Sequence, residues 1–303
     1  MIFRRDRSTG AGSVQAPRPG PVADNPTGLP HFAVDATDDI GDAALGMQEV
    51  SPARARLALA DALSASQPVT TRERLAGRID TLSTLIAAIE QQRAHVVLYG
   101  ERGIGKTSLV HVFAETAREA RYLVCYGSCG VEARFDDMFR NFASQIPLLF
   151  NATVSPTSDE GEHNRSFADL LGPDPVDPRE LADLFQRVVG TRIILVLDEY
   201  DRVADPAFRR DVAELMKNLS DRAARMQLLL TGVASNLDEL IGFTPSIRRN
   251  IVGLAVGGLG ESELLEILAR AEEATGLSFA PDARKLIVRM SGGSPYVVRL
   301  LGN

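Results

Sequence analysis

The sequence predicts an α/β protein in which a doubly wound parallel sheet is followed by a small helical unit. Three observations carry the prediction. Largely apolar runs at Ala94–Tyr99, Arg192–Leu197 and Gln227–Thr231 alternate with amphipathic stretches of helical period. A glycine-rich turn joins the first of these runs directly to a helix. From Gly242 the pattern changes to three helical stretches separated by glycines, after one short apolar run. Strands that alternate with helices imply right-handed crossovers and a sheet covered on both faces.

The elements follow in order. Residues 1–48 are rich in Pro, Gly, Ala and Asp, show no hydrophobic period and read as a disordered tail. Pro52 suits the first turn of a short Ala-rich helix, and Asp80–Gln92 places Leu82, Leu85, Ile86 and Ile89 on one helical face. Ala94–Tyr99 is the first strand and Ser108–Arg121 its helix, with Leu109, Val112, Phe113 and Ala117 inward. Tyr122–Tyr126 is a second strand, and Phe135–Ile146 a helix with Phe135, Met138, Phe139 and Phe142 along one side. Asn151–Asp177 is polar and proline-bearing and reads as an irregular insertion with a short helical turn. Helices over Arg179–Val189 and Phe208–Leu219 flank the strand Arg192–Leu197, and the strand at Gln227–Thr231 completes the α/β domain, assigned to residues 49–241. Residues 242–303 hold a short strand at Ile251–Val256 and helices at Glu261–Thr275, Pro281–Met290 and Ser294–Leu301, read as a helical lid.

Composition bounds the function classes. A chain of 303 residues, 45% hydrophobic, can bury a substantial core. Its formal net charge of −7 argues against a strongly basic nucleic-acid binder, so DNA contact is not indicated by composition. Cys125 and Cys129 have neither a second pair nor a nearby histidine, and a zinc site needs more ligands. No run has signal-peptide or membrane-spanning character, so a cytoplasmic protein without membrane association is expected.

The chemistry is concentrated in two motifs. Gly100-Glu101-Arg102-Gly103-Ile104-Gly105-Lys106-Thr107 matches the phosphate-binding loop G-x-x-x-x-G-K-[ST] without a mismatch, between a strand and a helix. The glycines permit backbone approaches that a Cβ would block, so that successive amides converge on phosphate. The helix beginning near Lys106, which includes Ser108, adds its positive dipole end. Lys106 is expected to reach the β and γ phosphates and Thr107 to ligate Mg2+. The second motif is the Walker B form, the apolar strand Arg192–Leu197 ending in Asp198-Glu199-Tyr200-Asp201. Asp198 is expected to hold Mg2+ through its water shell, and Glu199 to orient and polarise the attacking water. Together they predict a P-loop NTPase core that takes ATP and Mg2+. GTP is disfavoured because no N-K-x-D base-reading motif follows the second strand motif.

With these pieces placed, the chain resembles the AAA+ ATPases, in particular the branch of origin-recognition and transposition ATPases and their STAND relatives. The resemblance rests on L-A-G-R at Leu75–Arg78, Y-G-E-R-G-I-G-K-T-S-L at Tyr99–Leu109, L-V-L-D-E-Y-D at Leu195–Asp201, L-L-L-T-G-V-A-S-N at Leu228–Asn236 and S-G-G-S-P-Y at Ser291–Tyr296. It implies a γ-phosphate sensor at the end of the fourth strand, which falls on Thr231 with Ser235 and Asn236 as alternatives. It also implies an arginine finger, for which Arg248 and Arg249 are the candidates. In STAND lids a Gly-x-Pro element packs near adenine, which assigns Pro295, and Arg299 one turn on is a candidate second sensor. The origin-recognition pattern puts that arginine nearer Tyr296, a departure that leaves the role of Arg299 open.

The resulting expectation is an ATP-hydrolysing switch or motor module. The alternatives are a slow STAND-like signalling or defence switch and a DNA-associated ATPase of replication or transposition. Sensor and effector domains of a STAND protein, or a winged helix, have no counterpart before Asn303. Either the chain is part of a longer protein, or its output passes to a protein partner or through self-assembly.

Overall fold

The computed structural model describes residues 52–65, 67–70, 75–154, 165–242 and 245–303. The tail expected over residues 1–48 lies outside the described residues, as does the middle of the 151–177 insertion, residues 155–164.

Helices α1 (Pro52–Ala62) and α2 (Ile79–Glu90) precede β1 (His95–Gly100), which passes through the glycine-rich turn into α3 (Lys106–Glu119). Then come β2 (Leu123–Ser128), α4 (Phe135–Ser144), α5 (Pro178–Phe185), β3 (Ile193–Asp198), α6 (Pro206–Asp221) and β4 (Met226–Val233). Short helices α7 (Leu237–Ile241) and α8 (Pro245–Arg248) lead to β5 (Ile251–Ala255), followed by α9 (Glu261–Thr275), α10 (Pro281–Ser291) and α11 (Pro295–Gly302). Asp177 and Asp205 start α5 and α6 by accepting from Arg179 N and Ala207 N, each at 2.8 Å and each with proline in the first turn.

The five strands form one parallel sheet in the order β2-β3-β4-β1-β5. Side chains alternate across it, as a pleat requires. Val97, Leu195, Leu197, Leu228 and Leu230 face the layer of α4, α5 and α6, where Phe139, Phe142, Phe185 and Phe208 fill the core. Val96, Leu98, Ile194, Val196 and Leu229 face α2 and α3. A third core joins Leu59 and Leu63 to Leu264, Ile267, Leu268, Ile287 and Val298.

Two elements lie across the expected boundary at residue 242. The run Ile251–Val256, read as a prelude to the helical unit, supplies β5, the sheet edge, because it hydrogen-bonds along β1 from His95↔Ile251 to Tyr99↔Ala255. Conversely α1, assigned to the α/β domain, buries Leu59 in the core of the helical unit. The helix expected to reach Val189 ends at Phe185, because Val189 N–H turns to the Phe150 carbonyl at 2.8 Å and Gly190 adopts φ +75°. Among the described residues no helix is long and apolar enough to cross a membrane.

Candidate functional site

In a parallel α/β sheet, ligand chemistry gathers at the carboxyl ends of the strands. Here β1 ends in Gly100, β3 in Asp198, and β4 lies between them, so Thr231 of β4 is placed between the glycine-rich loop and the aspartate. A cavity of about 550 Å3 opens there.

The loop residues Arg102, Gly103, Gly105, Lys106, Thr107 and Ser108 line one side. Asp198, Glu199 and Thr231 line its base, and Pro295, Tyr296 and Arg299 from α11 close it from the helical unit. Gly100, Glu101 and Ile104 enter through the backbone. The carbonyls of Gly100 and Glu101 accept from Lys106 Nζ at 2.9 and 2.8 Å, and that of Ile104 accepts from Arg78. Burial lowers the pKa of the Lys106 ammonium, opposed by the negative charges of Asp201 and Asp198.

Three loop glycines have positive φ, among them Gly100 at +155°, where a Cβ would stand 2.3 Å from the Val256 carbonyl oxygen. Gly103 and Gly105 have φ +75° and +93°, and a Cβ on Gly105 would stand 3.4 Å from Pro295 Cγ. Gly105 is also the residue from which α3 starts, so the first amides of that helix face the cavity end of the loop.

Asp198 is 3% exposed and held on both carboxylate oxygens. Oδ1 accepts from the Thr231 hydroxyl and from the Glu199 N–H at 2.9 Å, and Oδ2 accepts from the Tyr126 hydroxyl at 2.5 Å. Burial and the neighbouring Asp198 raise the Tyr126 pKa, which keeps the phenol a donor. Glu199 follows with φ +54°, a left-handed conformation uncommon for glutamate. Its Oε2 accepts from Ser128 Oγ at 3.1 Å and from Arg202 at 2.7 Å.

The cavity brings most of the expected site residues together and leaves others apart. Arg248 pairs with Asp238 and Arg249 approaches Asp221 at 3.8 Å, both away from the cavity lining. Ser235 and Asn236 contact Glu239 at the start of α7, so of the three sensor candidates only Thr231 reaches the cavity. Arg299 lines the cavity and donates to the Ala62 carbonyl at 3.4 Å. Cys125 and Cys129 are buried free thiols, each pushed up to about 12 by burial.

Several contributors had no role assigned from the sequence, Arg78 and Ser294 lying inside quoted motifs and Tyr126 and Ser128 outside them. Tyr126 and Ser128 project from β2, two residues apart and so toward one face, to Asp198 and Glu199. Ser294 Oγ donates to the Gly103 carbonyl at 3.0 Å, and Arg78 donates to the carbonyls of Ile104 at 3.0 Å and Gly257 at 2.6 Å. Polar residues spaced by two near a strand end were the available signal for β2, but its adjacency to β3 depends on the strand order.

The donor set suits a hard divalent cation. A buried carboxylate and a threonine hydroxyl are oxygen ligands of the kind Mg2+ takes, beside a lysine and a glycine cradle suited to phosphate.

The description of the AAA ATPase domain matches residues 74–231 of this chain. No curated protein matches it. Among solved structures, the chain is similar to a Walker-type ATPase of Pyrococcus abyssi, with 20% identity and a TM-score of 0.57, over 79% of this chain and 70% of that one. It is also similar to Cdc6p from Pyrobaculum aerophilum, with 18% identity and a TM-score of 0.54, over 80% of this chain and 63% of that one. At these identities the likeness is one of fold.

Proposed function

The chain belongs to the AAA ATPase family, and on that premise we propose that it is a Mg2+-dependent ATPase acting as a nucleotide-controlled switch or motor. One observation carries this reading: a single cavity is walled by the glycine-rich loop, Asp198, Glu199 and Thr231 on one side and by α11 on the other.

In this reading Lys106 and the amides from Gly100 to Ser108 bind the triphosphate. Thr107 and Asp198 hold Mg2+, which when bound neutralises charge on the β and γ phosphate oxygens. Glu199 orients and polarises the attacking water, and Thr231, bonded to Asp198, is the residue through which β4 senses the γ phosphate. Pro295 packs toward the base and Arg299 toward the phosphates. The lid then begins after β5 rather than at residue 242, and closes by moving α9, α10 and α11 against the loop. Arg248 and Arg249 stand outside this chain's own cavity, so a finger role for either is toward a neighbouring copy. The partner is accordingly a second copy or another protein.

Lys106→Ala is expected to abolish nucleotide binding. Glu199→Gln should bind ATP as the wild type does and lose about 10²–10⁴-fold in turnover. Wild-type hydrolysis by Glu199→Gln would remove Glu199 from the role of base.

A further inference from the structure

A carboxylate that holds a cation must be oriented as well as charged, and the terminal torsion of aspartate is intrinsically broad. Asp198 is pinned from three elements. Oδ1 is fixed by Thr231 on β4 and by the Glu199 amide, and Oδ2 by the Tyr126 phenol on β2 at 2.5 Å. The Tyr126 ring is itself placed by stacking on His111 of α3, with centroids 5.0 Å apart and 24° between the planes. His111 follows Thr107 by one helical turn, so the two share a face of α3. One side chain thus spans from the aspartate of β3 to the helix that carries the threonine, and Tyr126 is outside the cavity lining.

We propose that Tyr126 is a positioning residue that sets the orientation of the Asp198 carboxylate, and its separation from Thr107, for a divalent cation bound with a nucleoside triphosphate. The proposal rests on the reading that Asp198 and Thr107 hold that cation. Mg2+ demands near-ideal octahedral geometry, so a carboxylate free to rotate binds it more weakly even when its charge is intact. Partners that orient a metal-holding group typically account for 10–100-fold in metal affinity.

The test separates metal-dependent from metal-independent binding. Affinity for a fluorescent ATP analogue is measured in EDTA and across a Mg2+ titration, with circular dichroism to verify folding. Tyr126→Phe keeps the ring and its stack on His111 while removing the donor. It should leave the affinity in EDTA unchanged and raise the half-saturating Mg2+ about tenfold or more. His111→Ala keeps the phenol but removes its support, and should shift the Mg2+ curve the same way by a smaller factor. Asp198→Asn serves as the reference.

If Asp198→Asn shifts the Mg2+ curve and Tyr126→Phe overlays the wild type, the positioning role is overturned while the cation site stands. If Tyr126→Phe weakens binding by the same factor with and without Mg2+, its role is packing and the proposal also fails. If Asp198→Asn leaves the Mg2+ curve unmoved, the cation site itself is refuted, and the role of Tyr126 with it.

Discussion

Acidification should loosen the strand that carries the phosphate-binding loop. His95 opens β1, is 1% exposed and has both ring nitrogens engaged. Nδ1 faces the Leu228 N–H at 2.9 Å and must accept from it, so Nε2 carries the proton and donates to the Met216 carbonyl at 2.8 Å. A second ring proton would break the Leu228 contact and place a charge in the apolar interior. Burial accordingly pushes the imidazole from its usual 6.5 to about 4. Because the folded value lies below the unfolded one, the stabilisation is complete above pH 6.5 and is lost as pH falls toward 4. Linkage gives a loss on the order of 1 kcal/mol at pH 6, about 2 kcal/mol at pH 5 and about 3 kcal/mol below pH 4. Carboxylates titrate in the lower part of that window, so the comparison with His95→Asn isolates the histidine. Asparagine keeps an acceptor for Leu228 N–H and does not titrate. Urea unfolding followed by circular dichroism at pH 7, 6 and 5 should show the variant losing about 2 kcal/mol less than the wild type between pH 7 and 5. Parallel pH profiles would refute the assignment.

The remaining predictions concern the loop and its coupling to the helical unit. Gly105→Ala forces a side chain into φ +93° and against Pro295, so it should cost roughly 1–3 kcal/mol, read as a lowered thermal midpoint, and weaken nucleotide binding in a filter or fluorescence assay. Arg78→Met deletes a guanidinium that bonds the carbonyls of both Ile104 and Gly257. Hydrogen bonds from a charged group contribute about 1.5–3 kcal/mol each, so chemical denaturation should show a loss of at least about 2 kcal/mol, with nucleotide affinity falling alongside it.

The glycine-rich loop and the Asp198-Glu199 pair were legible because each is contiguous in sequence and follows an apolar strand. Thr231 was reached only through the family resemblance, which puts a sensor at the end of the fourth strand, and it lies two residues before β4 ends. Tyr126 and Ser128 were not, because their significance depends on β2 pairing with β3, and strand order is set by packing rather than by local pattern. β5 was misplaced for a related reason. A five-residue apolar run with glycine at its centre reads as a strand, but nothing local says that it pairs with β1 across the long interval holding three other strands. The alanine-rich run after Pro52 predicted a helix at α1, yet the helical unit that Leu59 packs into lies some two hundred positions away in the chain.

The loop is held by its carbonyls, and this shapes what it offers a ligand. Gly100 and Glu101 carbonyls accept from Lys106, that of Gly103 from Ser294, and that of Ile104 from Arg78. With those acceptors committed, the polarity available toward the cavity is that of amide hydrogens and the lysine ammonium, which favours an anion. The donors come from different parts of the fold. Lys106 is in the loop's own helix, Arg78 precedes α2 and also bonds Gly257 at the exit from β5, and Ser294 caps α11. Two of the four loop carbonyls are therefore tied to the segment that leads into the helical unit or to the unit itself. Any ligand that draws Lys106 off Gly100 and Glu101 alters the same short loop whose neighbouring carbonyls anchor Arg78 and Ser294. In the proposed function, phosphate occupancy and the placement of α11 would both act on one stretch of six residues, Gly100 to Gly105, which makes that stretch the proposed link between nucleotide state and the helical unit.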